Sequence, residues 1–335
     1  MSYNAQSMKT VLTQQEIYGL VAGDLVRVED ELKVYTRSSI EPISEIGRYL
    51  IDAGGKRVRP ALLLLTARML GGISDSTIRL AAVMEFIHNA TLVHDDVIDG
   101  SDTRRGRPSA NANWGNAMTV LAGDWLYMES FAVALGERNF DVLNTLIGIT
   151  QKMVEGELLQ LTLVGRKDVG DKHLLDIARR KTAHLFSGCM RLPAIAADGD
   201  PGSVEKLTRI GMNLGMSFQL VDDLLDLTST KEAMGKPVAS DLKEGKVTLP
   251  VYYALEQGTA EDRRMVELVL EERDFRSVKP EDILELVERA DGVKRTRVLA
   301  ADFARQAIRE LETFPPTPYR DAIISIPEFI INRQM

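Results

Sequence analysis

The sequence predicts an all-α protein, and three observations carry that prediction. Nearly every apolar stretch recurs at the three-to-four-residue spacing of a helix. No run alternates apolar with polar residues, or gathers β-branched residues between turn signals, as a strand would. Short glycine-containing turns separate the periodic segments, the mark of mostly antiparallel packing. With 335 residues, 44% of them hydrophobic, the chain can bury a large core. No Gly/Ser or Pro tract and no solenoid repeat marks a boundary, so residues 13–335 are expected to form one domain. The polar stretch 1–12 is expected to be a disordered tail.

In chain order, residues 20–35 and 42–53 read as amphipathic helices, the second ended by Gly54 and Gly55. Pro60 suits a first helical turn, and RPALLLLTARML stops at Gly71 and Gly72, which predicts a short, largely buried helix. The next helix spans 74–99 and is ended by Gly100. Long helices follow over 114–136, 140–164, 172–197 and 205–227. Residues 231–246 place Gly235, Pro237 and Gly245 among charges without an apolar period, so they read as a loop suited to act as a lid. From Thr248 onward the pattern returns to amphipathic helices, one opening on the capping box of Thr259 with Asp262, and this part reads as structural support.

A net charge of -8 argues against nucleic acid as a partner and leaves the basic residues to act locally. The single cysteine, Cys189, excludes an intramolecular disulfide framework and reads as a small core residue in a reducing compartment. No signal peptide and no run long enough to span a bilayer is evident, so a soluble, cytoplasmic protein is expected.

Function is read from EFIHNATLVHDDVIDGSDTRRGR, residues 85–107. On a helix Asp95 and Asp99 lie one turn apart with Asp96 beside them, so their carboxylates can converge on hard cations. Arg104, Arg105 and Arg107 follow, and guanidinium forks match phosphate oxygens. FQLVDDLLDLTSTKEAMGK repeats the arrangement. Asp222, Asp223 and Asp226 have the same spacing inside a leucine-rich helix, with Lys231 and Lys236 behind them. Carboxylates among Phe218, Leu220, Val221, Leu224, Leu225 and Leu227 need partners or metals.

Further cations sit at helix ends or among apolar residues. GGKRVRP places Lys56, Arg57 and Arg59 between two glycines and a helix-starting proline, a cradle for an anion. Lys181 and Thr182 lie in RRKTAHLF beside apolar neighbours, His88 is two turns before Asp95, and Gln219 is one turn before Asp223. Two acid triplets imply a multi-Mg²⁺ cluster bridged by a diphosphate, whose departure from an allylic carbon such metals assist. The separate basic cluster suggests a second diphosphate.

On the motifs GGKRVRP, HDDVIDGSDTRRG, KTAHLF, FQLVDDLLD and GK followed by DLKEGKVTLP, the chain resembles the trans-isoprenyl diphosphate synthase family from about residue 20 to its C-terminus. The resemblance implies an antiparallel helical bundle around a central cavity and a trinuclear Mg²⁺ cluster in the substrate-loaded site. Asp95, Asp99 and Asp222 would reach the metal, with Asp96, Asp223 and Asp226 as further ligands. Arg104, Lys181, Lys236 and Lys246 would hold the allylic diphosphate; Lys56, Arg59, His88 and Arg105 would hold isopentenyl diphosphate. Thr182 and Gln219 would line the path of the allylic cation. Arg57 and Arg107 take no role and read as surface charge. The family also implies a homodimer.

Product length depends on the wall of the helix before Asp95, which descends about 1.5 Å per residue. Ala90, Thr91 and Ile87 form that expected wall, with Met84, Val83, Leu126, Phe131 and Val133 as deeper candidate floors. Ala90 and Thr91 are small, where short-chain members of the family carry bulky aromatics. The motif wording, IHNATLVHDD and SANANWGN included, is most similar to the bacterial enzymes that make quinone side chains. Products of about six to ten isoprene units from a primer such as farnesyl diphosphate are therefore expected, with transient membrane contact on release. The alternatives are a shorter-chain farnesyl or geranylgeranyl diphosphate synthase and, more remotely, a class I terpene cyclase, a non-catalytic subunit or an ion-binding bundle. The second acid triplet and the separate cation cluster disfavour a cyclase, which needs one diphosphate site.

Overall fold

The structure, a computed structural model, describes residues 11–166, 168–228 and 238–331, with side chains to residue 328. Lys231, Lys236 and most of the expected 1–12 tail lie outside the described residues. At the near end of that tail, the Leu12 N–H donates to Ser325 Oγ at 3.2 Å, and Leu12 packs on the core.

The described residues are helical almost throughout. They form α1 (Gln14–Gly19), α2 (Ala22–Tyr35), α3 (Glu41–Asp52), α4 (Val58–Met69), α5 (Asp75–Ile98), α6 (Ala110–Gly136) and α7 (Phe140–Leu163). Then come α8 (Asp171–Ala178), a π-helical turn (Arg179–Ala183), α9 (His184–Ala196) and α10 (Pro201–Thr228). One helical turn (Ser240–Lys243) precedes α11 (Leu249–Gln257), α12 (Ala260–Glu272), α13 (Pro280–Arg289), α14 (Gly292–Leu311) and α15 (Pro318–Ile331).

Helix starts follow local chemistry. Ser74 caps α5 by accepting from the Thr77 N–H, and Thr259 caps α12 in the expected box with Asp262. The run Pro60–Ala67 of α4 is buried on every face. A helix apolar all round belongs at the centre, and α4 packs against α5, α9 and α15. Around it lies the main core, with Phe86, Phe186, Met84 and Leu62 among its fully buried members. A second apolar cluster, built on Leu242, Val251, Val266, Ile283 and Leu286, ties α11, α12 and α13 together. These support the end of α10 and the 239–243 segment, as expected of the C-terminal part.

Three local features depart from expectation. Residues 172–197 do not form one regular helix, because the π turn widens it at Arg179–Ala183. Helix α6 begins at Ala110, ahead of Trp114, and is kinked at Gly115, whose φ of 78° takes it outside helical geometry. Past Gly100 (φ 62°) the chain makes a small hairpin, pairing Thr103 with Pro108 and Arg104 with Arg107. Its two turn residues, Arg105 (φ 52°) and Gly106 (φ 73°), are both left-handed, as a two-residue hairpin turn requires.

Candidate active site

A cavity of about 610 Å³ opens between α4, α5, α7, the π turn, α10 and the segment 241–249. Its lining carries one group of acids, Asp95 from α5, Asp222 and Asp223 from α10, and Asp241, with Lys181 and Lys246 among them. It also carries a basic group, Lys56, Arg57, Arg59 and Arg105, whose arginines act on His88 and on the buried Glu85. Apolar lining residues include Leu92, Met153, Leu163, Val164, Phe218 and Leu249.

In the acidic group the carboxylates are difficult to keep charged by themselves. Burial pushes the Asp95 pKa up to about 6, with Glu157 and Asp99 adding to it and Lys181 opposing. Burial also raises Asp223 well above the usual carboxylate range, and the charges of Asp241, Asp222 and Asp226 reinforce it. Desolvated carboxylates lining one cavity are the donor type that suits a hard divalent cation. Among the described residues no three such side chains are gathered as a ready-made cage. A cation here would complete its shell with phosphate oxygens and water, as Mg²⁺ commonly does.

The six expected acids are not equivalent. Asp96, expected as a metal ligand, is 1% exposed, and both its oxygens accept from Arg104 Nε, at 2.7 and 2.8 Å. Neither Asp96 nor Arg104 lines the main cavity. The pair expected to serve metal and diphosphate is closed on itself, because a carboxylate facing inward from α5 needs a partner. Asp226 accepts from Ser240 Oγ at 2.5 Å and from the Asp241 N–H at 3.3 Å, while its carbonyl accepts from the Ala239 N–H at 2.8 Å. It thus staples the 239–241 segment to α10 and is turned from the cavity. Asp99 accepts from Lys246 Nζ at 2.9 Å, and that ammonium also donates to Glu244 at 2.8 Å. Burial works against the Lys246 charge, yet Asp99 and Glu244 outweigh it and raise its pKa.

The expected polar path is a connected chain. Thr182 Oγ1 donates to Gln219 Oε1 at 2.5 Å, and Gln219 Nε2 donates to Asp223 Oδ1 at 2.8 Å. Lys181 Nζ donates to Gln160 Oε1 at 2.7 Å and pairs with Glu157. Lys181 and Thr182 belong to the π turn, and such bulges are frequent at functional sites. Glycines let the helices meet there. A Cβ on Gly215 would lie 2.5 Å from Ala183 Cα, and one on Gly211 would lie 2.6 Å from the Phe186 carbonyl oxygen. Gly211, Gly215, Gln219 and Asp223 recur every four residues, so one face of α10 carries both the close approach and the polar chain.

In the basic group Arg57 corrects the sequence reading: it is a buried charge. It sits at the start of α4 with a left-handed φ of 47°, donates to Glu29 at 2.5 and 3.1 Å, and donates to Glu85 at 2.8 Å. Arg107 is exposed, reaching the Asp52 carbonyl at 3.3 Å. The Arg105 guanidinium crosses Gly55 to donate to the Gly54 carbonyl, and a Cβ on Gly55 would come within 2.8 Å of it. Arg59 lies 5.4 Å over the Phe186 ring, and its Nε has no hydrogen-bond partner among the described residues. Burial lowers the Arg59 pKa, with Glu85 opposing. Burial, then the charges of Arg59, Arg105, Arg104 and Arg57, lowers His88 well below its ordinary value and keeps the imidazole neutral.

Of the expected wall, Thr91 lines the cavity, whereas Ala90 and Ile87 are fully buried in the core and do not. Deeper, a Cβ on Gly188 would meet Ile149 Cδ1 at 2.4 Å and Met84 Cε at 3.0 Å, so two flexible side chains fill that level. Sequence reasoning passed over Glu85, Glu157, Gln160 and Asp241. Glu85 carried a signal, an acid inside the apolar run AAVMEFI; the others sit on ordinary amphipathic or charged stretches.

Comparison with known proteins agrees with this fold. The polyprenyl synthetase family model matches residues 40–287. The octaprenyl diphosphate synthase of Escherichia coli (strain K12) is 36% identical over 319 residues, covering 95% of this chain and 98% of that protein. A crystal structure of a polyprenyl synthase from Caulobacter crescentus CB15, complexed with calcium and isoprenyl diphosphate, superposes with a TM-score of 0.92 at 33% identity, covering 97% of this chain and 99% of that one. A decaprenyl diphosphate synthase from Rhodobacter capsulatus gives 0.89 at 34% identity, covering 96% and 99%. With its cavity built on two acid-bearing helices and a separate cation cluster, the chain belongs to the polyprenyl synthetase family.

Proposed function

We propose that this cavity condenses isopentenyl diphosphate with an allylic diphosphate such as farnesyl diphosphate, repeatedly, to give an all-trans polyprenyl diphosphate of medium or long chain. The observation that carries the proposal is that one cavity is lined both by a group of acids and by a basic cluster of Lys56, Arg59 and Arg105. Two diphosphates can lie there with their apolar tails between them. Relatives named octaprenyl and nonaprenyl diphosphate synthases support a long product, for which quinone side chains are a fitting use.

Lys56, Arg59 and Arg105 hold the diphosphate of isopentenyl diphosphate, and neutral His88 donates a hydrogen bond. Lys181 and Lys246 hold the allylic diphosphate opposite Asp95, Asp99, Asp222 and Asp223. These acids would hold Mg²⁺, which would supply the pull on the departing diphosphate. The allylic C–O bond breaks, the isopentenyl double bond forms the new C–C bond, and one proton leaves to the released diphosphate. Thr182 and Gln219 present oxygen lone pairs along the path of the cation, and the leucine and valine walls exclude water that would quench it.

A second copy of the chain fits the outer face of α6 and α7. Leu121, Met128 and Leu135 on α6, with Phe140, Val154 and Leu158 on α7, are exposed large apolar residues at helical spacing. Sedimentation should give a dimer that Leu121→Glu with Leu158→Glu splits. Among the described residues no helix is long and apolar enough to cross a membrane. In this proposal the enzyme works in the cytoplasm and meets the bilayer on product release.

The test is incubation with Mg²⁺, labelled isopentenyl diphosphate and farnesyl diphosphate, with the dephosphorylated products separated by length. A ladder ending in one long polyprenol is expected. Cyclised hydrocarbon, or no consumption of isopentenyl diphosphate with any allylic primer, would overturn the proposal.

A further inference from the structure

Glu85 is a buried acid beside the basic cluster of the cavity, its side chain 3% exposed. It lies on α5 one turn before His88, and Oε1 accepts from Arg57 Nη1 at 2.8 Å. Glu85 is not the sole counter-charge of Arg57. Glu29 already matches Arg57 through two hydrogen bonds, at 2.5 and 3.1 Å. Glu85 therefore shares its charge between Arg57 and its other neighbours, and it is the foremost opposite charge acting on both Arg59 and Arg105. With Lys56 and Arg57, four cations line the cavity there around the one buried acid Glu85, and Glu29 holds one of them, Arg57, by two hydrogen bonds.

A site meant only to hold a diphosphate would gain nothing from an acid in this place. A site that must also release one would. In a repeated condensation the grown product carries the diphosphate that came in on isopentenyl diphosphate. Before the next addition that group has to leave the basic cluster and cross to the acids. We propose that Glu85 is a built-in counter-charge that loosens the hold of Lys56, Arg59 and Arg105 on a diphosphate, so that the grown chain can transfer. The proposal rests on the reading that this cluster takes isopentenyl diphosphate.

Glu85→Gln tests it, because glutamine keeps an acceptor for Arg57 while removing the charge. Binding of isopentenyl diphosphate is measured by titration calorimetry with EDTA and no allylic substrate, so that no turnover occurs. The variant should bind about ten-fold tighter than the wild type and lose affinity more steeply with salt. In the full reaction KM for isopentenyl diphosphate should fall, KM for the allylic primer should hold, and the products should shorten. Glu29→Gln gives a second route, since Arg57 then draws on the charge of Glu85, and it too should tighten binding. Arg59→Met separates the two ideas: if it binds as well as the wild type, the assignment of this cluster is wrong. If Arg59→Met weakens binding while Glu85→Gln and Glu29→Gln bind equally or more weakly than the wild type, the counter-charge is overturned.

Discussion

Gly215→Ala sets two simple expectations against each other. Glycine in a helix interior costs about 1 kcal/mol relative to alanine, so propensity alone says that the variant is more stable. The packing says the reverse. The new methyl carbon would lie 2.5 Å from Ala183 Cα, 2.9 Å from Phe186 Cβ and 3.0 Å from Ala183 Cβ, whereas ordinary contact begins at 3.4 Å. The nearest atom is main chain, so α10 itself has to retreat by about 0.9 Å. Overpacking of this kind costs about 1–3 kcal/mol, and taking off the propensity gain leaves a net loss of about 0–2 kcal/mol. The retreat also lengthens the Thr182–Gln219 hydrogen bond from 2.5 Å toward about 3.4 Å, the edge of useful geometry. Urea unfolding should show the lower midpoint at an unchanged m-value, and kcat should fall by about ten-fold. A variant as stable as the parent and fully active would refute the argument that the glycine face of α10 sets the site.

Further outcomes follow from the same structure. Arg57→Met leaves Glu29 and Glu85 facing each other without their cation, and should destabilise the fold by about 3–5 kcal/mol in urea unfolding; a loss near zero would return Arg57 to the surface role that its sequence suggested. For His88 the folded pKa lies below the ordinary 6.5, so in that window the unfolded chain binds more protons; the stabilisation is complete above 6.5 and is lost as pH falls below it. The urea midpoint should therefore drop between about pH 7.5 and about pH 5.5, and His88→Gln should flatten that part of the profile. Thr91→Phe, at the cavity wall, should shorten the products while sparing the first condensation; unchanged lengths would remove Thr91 as a wall.

Much of the architecture was legible because helices announce themselves locally. Apolar spacing located α5, α7 and α10 to within a few residues, and Gly100 and the Thr259 box marked ends as their chemistry demands. The site was legible where residues broke pattern: acids among leucines, cations between glycines. What stayed hidden depends on partners distant in sequence. Nothing near Arg57 shows that Glu29 and Glu85 await it, so a buried ion pair looked like surface charge. Asp96 and Asp95 are adjacent and chemically identical, yet their side chains leave the helix about 100° apart, and one meets Arg104 while the other meets the cavity. The π turn was equally invisible, since RRKTAHLF has an ordinary helical composition.

That π turn works as a vernier. Each residue on a regular helix advances the direction of its side chain by about 100°, so one additional residue in a turn resets the phase of everything on one side relative to the other. Here α8 and α9 are out of step by that single residue, and the mismatch is taken up where Lys181 and Thr182 reach Gln160 and Gln219. Removing one residue within 179–183 would yield a more regular backbone and a wrongly aimed site. In this chain the aim of Lys181 and Thr182 is therefore set by length as well as by composition, and a one-residue deletion would misdirect them with every side chain of the site still present.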